Sequence, residues 1–252
     1  MAKDKDGRIA LVTGAARRVG RIVALDLAAR GWRVGVHYRS SAAEAAAVVA
    51  EIERDGGKAA AFAADLARLD ALPKLIADCA AALGPPSCLI NNAARFERDT
   101  LATLDGATWA AQLDVNLRAP VFLAQAFAKA LPDGVEGNVV NIVDQKVLRL
   151  TPDYFSYTVA KAALWSATRM MAQALAPRIR VNAIAPGPVI KHEAQSQSAF
   201  EREAGATLLQ RAVNAGDVAG AVRFLLETPS ITGQVIALDS GQHLAFDGES
   251  EA

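Results

Sequence analysis

The chain has 252 residues, 52% of them hydrophobic, and its 27 lysines and arginines balance 27 aspartates and glutamates for a net charge of +0. That length can bury a substantial core, the balanced charge argues against a nucleic-acid partner, and no apolar run reaches the length of a membrane span. Two cysteines, Cys79 and Cys88, give neither a disulfide framework nor metal-ligand spacing, so no metal is expected.

In chain order, the start Met-Ala-Lys-Asp-Lys-Asp-Gly is charged, with no apolar segment behind it, and does not read as a signal peptide. The sequence reads as soluble and cytoplasmic. Short apolar runs predict strands at 8–13, 33–38, 58–64, 87–91, 137–143, 178–184 and 233–238. Helical patterns fall between them, at 18–30, 41–55, 68–83, 107–131, 155–176 and 216–227. This alternation predicts an α/β fold, a doubly wound parallel sheet of about seven strands with helices on both faces, formed by one domain over 1–252.

The first strand ends at Thr13-Gly14-Ala15-Ala16-Arg17-Arg18-Val19-Gly20, and an amphipathic helix follows. A strand, a glycine-bearing turn and a helix start make a pyrophosphate site, because backbone N–H groups approach the phosphates and the helix N-terminus favours negative charge. Tyr157 and Lys161 stand four residues apart in a predicted helix, on one face. A lysine beside a phenol favours the phenolate and lowers its pKa, which suits acid–base chemistry near neutral pH. The stretch 186–206, opening Pro186-Gly187-Pro188, is long, polar and irregular and follows a strand end, where open α/β sheets bind ligands. It reads as a substrate lid or, alternatively, as a surface excursion. His192 within it and His243 near the C-terminus have no partner at metal spacing and read as a lid residue and a C-terminal surface residue.

Taken together, these motifs resemble the short-chain dehydrogenases/reductases over nearly the whole chain. Thr13-Gly14 through Gly20 is similar to that family's cofactor turn, and Asp65-Leu66 to its adenine-contacting pair. Asn91-Asn92-Ala93 resembles its structural motif, with Ala94 where the family has glycine. Asn116 resembles the asparagine of its proton relay, Tyr157 and Lys161 its catalytic pair, and Val181-Asn182-Ala183-Ile184-Ala185-Pro186-Gly187 its nicotinamide segment. The resemblance implies a Rossmann-type domain, usually tetrameric, that moves hydride to or from a nicotinamide cofactor. Asn92, Ala93, Pro186, Gly187 and Val189 are expected on that cofactor, with Lys161 on its ribose and Asn116 holding a water that resupplies the proton. Asp239-Ser240-Gly241 is similar to a C-terminal turn that packs at subunit interfaces in the family, so a homotetramer is expected.

Two departures narrow the resemblance. Arg18 replaces a usual glycine, and Asp144 stands where the family has its catalytic serine. Both are similar to the pteridine reductase branch, as are His37-Tyr38-Arg39-Ser40, the Ser-Ala-Ala-Glu that follows, and Phe96, at the position of a phenylalanine that stacks on the pterin. Arg39, Ser40 and Arg17 replace the acid that binds a ribose 2′-hydroxyl, and cations and hydroxyls suit a 2′-phosphate, so NADPH is the expected cofactor. His37 reads either as part of that phosphate site or as a plain strand-end histidine. Arg18 is expected to face both the cofactor phosphates and the substrate, or else to lie on the surface. Asp144 is expected to be partly desolvated, with a raised pKa, and to bind a nitrogen heterocycle. Phe96 is expected to stack on a flat ring or to pack the loop. The predicted activity is NADPH-dependent reduction of a pterin C=N bond, with Tyr157 as proton donor. The alternatives are a carbonyl reductase acting on a ketone or quinone, and a non-catalytic NADPH-binding regulator. The last is disfavoured by the presence of Tyr157, Lys161 and Asn116.

Overall fold

The computed structural model describes residues 8–193 and 195–245. The charged start at 1–7, which the sequence reading took as lacking a leader, lies outside the described residues.

Seven strands form one parallel sheet: β1 (Ile9–Val12), β2 (Arg33–Tyr38), β3 (Lys58–Ala63), β4 (Cys88–Asn91), β5 (Gly137–Ile142), β6 (Ile179–Pro186) and β7 (Val235–Leu238). Their order is β3-β2-β1-β4-β5-β6-β7, and every neighbouring pair is parallel. The chain winds outward from β1 to β3, then returns to begin β4 on β1's other side. That reversal leaves a crevice at the carboxyl ends of β1 and β4, where a ligand can enter.

The strands are apolar because helices cover both faces. On one side pack α1 (Arg18–Ala28), α2 (Ala42–Arg54) and α8 (Ala215–Glu227); on the other, α3 (Ala71–Leu83), α5 (Ala119–Ala130) and α6 (Phe155–Leu175). Alternation along β1 sends Ala10 and Val12 to the first core and Ile9 and Leu11 to the second, as a period of two requires. The two cysteines are buried free thiols; Cys79 lies in the second core, and burial pushes its pKa up to about 12.

Two expectations need correction. The helix predicted at 107–131 is interrupted: α4 (Gly106–Leu113) passes into a π-helical turn at Asp114–Arg118 before α5 begins. Pro120 sits at the start of α5, where it lacks an N–H to continue a helix and would press on the carbonyl four residues back. The wider turn accommodates it. The stretch 186–206 is not wholly irregular either. Pro186 still belongs to β6, and α7 (Gln197–Gly205) forms with Ser196 Oγ capping Ala199 N at 3.2 Å.

Candidate active site

At the carboxyl ends of the strands lies a cleft of about 630 Å³. Its walls include the β1–α1 turn, the end of β2, the loop after β4, the segment 142–146, Tyr157, and parts of 186–203.

The β1–α1 turn is shaped by two glycines. Gly14 has φ +63, and a Cβ on Gly20 would sit 2.3 Å from the Gly14 carbonyl oxygen, so neither tolerates a side chain without movement. Asn92 Nδ2 donates to the carbonyls of Thr13 and Gly14 at 2.9 and 3.2 Å. His37 is buried and holds the turn from β2. Its Nδ1 accepts from Gly14 N at 3.0 Å, and its Nε2 lies 3.1 Å from the Ala64 carbonyl. Burial lowers its pKa to about 4. His37 is therefore a neutral clamp, with both ring nitrogens occupied, and not a cation for a phosphate. Of its two sequence readings, the plain strand-end role is the nearer, though it also braces the turn. Tyr38, Arg39 and Ser40 do reach the cleft, as do Asp65 and Leu66, and Arg39 and Ser40 are exposed there.

Arg17 and Arg18 line the cleft but have partners in the segment after β6. Arg17 pairs with Glu193 at 3.3 Å, both largely exposed. The Arg18 guanidinium donates to the carbonyls of Lys191 and Ile190 at 2.7 and 2.8 Å, while its backbone is left-handed at φ +55. Arg18 thus lines the cleft and also ties the turn to the segment after β6.

Asp144, Tyr157 and Lys161 come together as expected. Tyr157 Oη donates to Asp144 Oδ2 at 2.9 Å, and Asp144 Oδ1 accepts from Lys146 N at 2.9 Å. The Lys161 ammonium is buried, donates to the Ile142 carbonyl at 2.7 Å and lies 5.7 Å from the Tyr157 ring centre. Burial raises the Asp144 pKa and lowers that of Lys161 to about 8. The expected lowering of the Tyr157 pKa is overturned. Burial raises it well above the usual phenol value, and the adjacent Asp144 charge adds to the rise.

Asn116 does not line the cleft; its buried side chain bonds Arg95 N and O at 2.9 and 2.8 Å and Gln112 Oε1 at 3.0 Å and so fixes the loop that carries Arg95 and Phe96. Phe96 stacks on Tyr154, with ring centres 4.3 Å apart, and meets Tyr157 and His192 edge-on. Asp99 anchors the same loop to the start of α6 by accepting from Ser156 N and Oγ.

Ala93, Pro186, Gly187, Val189 and Phe200 also line the cleft. So do residues the sequence reading missed as site residues: Gln145, Lys146, Glu203 and Gln242. Gln145 and Lys146 could have been suspected as neighbours of Asp144, whereas Gln242 is brought in only by the return of the chain from β7. His192 lines the cleft from the segment after β6, and His243 Nδ1 pairs with Asp239 Oδ2 at 2.7 Å. Among the described residues no cluster suits a metal ion, and no helix is long and apolar enough to cross a membrane.

Comparison with known proteins gives a consistent neighbourhood. A family model described as enoyl-(acyl carrier protein) reductase matches residues 14–243. The crystal structure of FolM alternative dihydrofolate reductase 1 from Brucella canis, complexed with NADP, is similar with a TM-score of 0.95 and 45% identity, covering 100% of both chains. A short chain dehydrogenase from Burkholderia cenocepacia, in complex with NADP, has a TM-score of 0.88 and 35% identity, covering 94% of this chain and 98% of the other. A 3-oxoacyl-[acyl-carrier-protein] reductase of a Synechocystis species is 36% identical over 239 residues, 93% of this chain and 96% of that protein.

Proposed function

The chain belongs to the short-chain dehydrogenase/reductase family, and from that premise we propose that it reduces a C=N bond of a pterin, taking a dihydropterin to a tetrahydropterin. It is an NADP(H)-dependent oxidoreductase. The residues present fit that cofactor: the close approach at Gly14 and Gly20 admits a pyrophosphate, and Arg39 and Ser40 at the end of β2 offer a cation and a hydroxyl to a 2′-phosphate. Bound there, NADPH supplies the hydride.

The observation that carries the substrate reading is the Tyr157–Asp144 hydrogen bond at 2.9 Å inside the cleft. Reduction of a ketone and of a C=N bond each needs one hydride and one proton, and this pair can deliver the proton. What favours the heterocycle is the carboxyl beside the phenol, which can accept from a ring N–H or, protonated, donate to a ring nitrogen. With Asp144 protonated, a form its raised pKa favours, the carboxyl O–H turns to donate to Tyr157 Oη and frees the phenol hydrogen to face the substrate. Tyr157 gives that proton to the ring nitrogen and takes the one from Asp144, which is left as a carboxylate. The pair titrates as a unit, and the nearby Lys161 ammonium offsets the charge that develops. Phe96 walls the ring from the side of the loop after β4.

The likeness to structures named alternative dihydrofolate reductase supports the pterin reading. The likeness to 3-oxoacyl-[acyl-carrier-protein] reductases favours the second reading, a carbonyl reductase. The experiment that separates them follows NADPH oxidation with dihydrobiopterin and dihydromonapterin beside a panel of ketones, quinones and 3-oxoacyl thioesters. The pterin reading requires pterin turnover that falls about 10²–10⁴-fold in Tyr157→Phe and also falls in Asp144→Ser, with NADPH affinity retained. Turnover of carbonyl compounds alone overturns it. We also propose that the enzyme is a cytoplasmic homotetramer in which the β7 edge and the turn at Asp239-Ser240-Gly241 lie at a subunit interface. Light scattering that gives any mass other than four chains refutes the assembly.

A further inference from the structure

Phe96 is the aromatic residue that the loop after β4 brings to the cleft, and the backbone of that loop is pinned on either side of it. Before it, Arg95 N and O bond the Asn116 side chain at 2.9 and 2.8 Å. After it, the Asp99 carboxylate accepts from Ser156 N at 3.2 Å, and the Asp99 carbonyl accepts from Phe155 N at 3.3 Å. With the backbone fixed at both ends, the direction of the Phe96 ring remains to be settled, and the start of α6 settles it.

The ring packs between two tyrosines three residues apart. It lies nearly parallel to Tyr154, with ring centres 4.3 Å apart and 10° between the planes. It stands almost perpendicular to Tyr157, at 4.7 Å and 83°. Stacked and edge-on pairs are both favourable, and each fixes a plane as well as a distance. Phe96 and Tyr157 line the cleft but Tyr154 does not, so Tyr154 reaches the cleft only through them. The Lys146 ammonium stands over the Tyr154 ring, 5.2 Å from its centre, and gives that ring a second hold.

The backbone at Tyr154 is left-handed, with φ 56 and ψ 47, a conformation strained for a bulky residue and easier for glycine or asparagine. The helix start does not require a tyrosine there: Thr158 N donates to the Tyr154 carbonyl at 2.8 Å, a contact that any residue could make. The ring is what the strained position supplies, and its contacts lead to Phe96.

We propose that Tyr154 is a positioning residue whose ring fixes the plane of Phe96, and through it the wall against which a flat substrate ring lies beside Tyr157. This inference rests on the pterin reading above. Tyr154 touches no reacting atom. It sets the wall when the chain folds, so that less binding free energy goes into ordering a loose phenylalanine each time a substrate enters.

The test is a double-variant cycle on dihydrobiopterin reduction, with Phe96→Leu, Tyr154→Asn and the two combined, alongside NADPH titration by fluorescence. Asparagine suits the left-handed backbone and has no aromatic ring, so the start of α6 is kept. Each single variant should raise the KM for dihydrobiopterin about threefold to tenfold while kcat stays within about threefold. NADPH affinity should be unchanged. Because Tyr154 acts through Phe96, the double variant should be no worse than Phe96→Leu alone, whereas a purely structural role at the helix start would add its own loss. Tyr154→Phe keeps the ring and should restore the wild-type KM. Tyr154→Leu repeats the measurement should the asparagine variant fail to fold. If the wild type reduces dihydrobiopterin and the two losses are fully additive, or Tyr154→Asn keeps the wild-type KM, the inference is overturned while the pterin reading stands. A wild type that turns over no pterin overturns both.

Discussion

Tyr157 shows how a residue's neighbours can reverse its expected behaviour. Four-residue spacing on a helix predicts that Lys161 makes Tyr157 more acidic. The folded chain instead sets the phenol against Asp144, in a buried place, and pushes its pKa up. The proton is then held by a pair rather than by a single activated phenol. Lys161 is the member whose titration falls in an accessible range, about 8, because burial disfavours its charge more than Asp144 favours it. Below that pH the ammonium is present, and above it the cation beside the pair is lost. We therefore expect kcat/KM for pterin reduction to fall as pH rises through about 8, and Lys161→Arg, whose guanidinium stays charged, to move that fall to higher pH. A pH–rate profile of the two proteins decides this, and superimposable alkaline limbs would remove Lys161 from the account.

At the scale of elements, the β1–α1 turn and the segment after β6 are joined by one side chain. Arg18 holds a left-handed backbone at φ +55, which costs a non-glycine residue about 1 kcal/mol, and its guanidinium takes up the Ile190 and Lys191 carbonyls. Glycine, usual at this position in the resembled family, would adopt that backbone freely but would leave both carbonyls untied. Arg18→Gly should therefore speed hydrogen exchange across 189–193 and lower the melting temperature, because two hydrogen bonds from a charged donor outweigh the relieved backbone strain. A variant in which both quantities are unchanged would show that the tie has no role. The sequence made Arg18 visible as a departure but not its partners, since 173 and 172 positions separate it from them. The interrupted helix between Gly106 and Ala130 was missed for a different reason. Its apolar period runs on through Pro120, and only the local steric demand of the proline ring breaks it.

For the molecule as a whole, the sheet and the cleft share a buried pin. His37 joins β2 to the β1–α1 turn and to the end of β3 and stays neutral down to about pH 4, whereas in an unfolded chain it would protonate near 6.5. Below pH 6.5 the unfolded state thus binds more protons than the folded one. Stability should decline as pH falls from 6.5 to about 4, by roughly 3 kcal/mol from this group. Denaturant melts of wild type and His37→Gln across that interval provide the check, and equal acid sensitivity in the two would contradict it. What the sequence determined by itself was the repetitive part: apolar runs of strand length, helical periods between them and a glycine turn, because periodicity and steric allowance are local properties. The place of Asp144 beside Tyr157 was implied by the resemblance, in which it stands where the family has its catalytic serine, and the fold brings the two side chains together. The tertiary structure decided the charge states and the wall of the site. His37 became a neutral clamp, Asn116 went to fix the loop that carries Arg95 and Phe96, and Gln242 was brought to the cleft from beyond β7, because burial and partners drawn from distant segments set those properties, and neither can be read from a residue's neighbours in the chain.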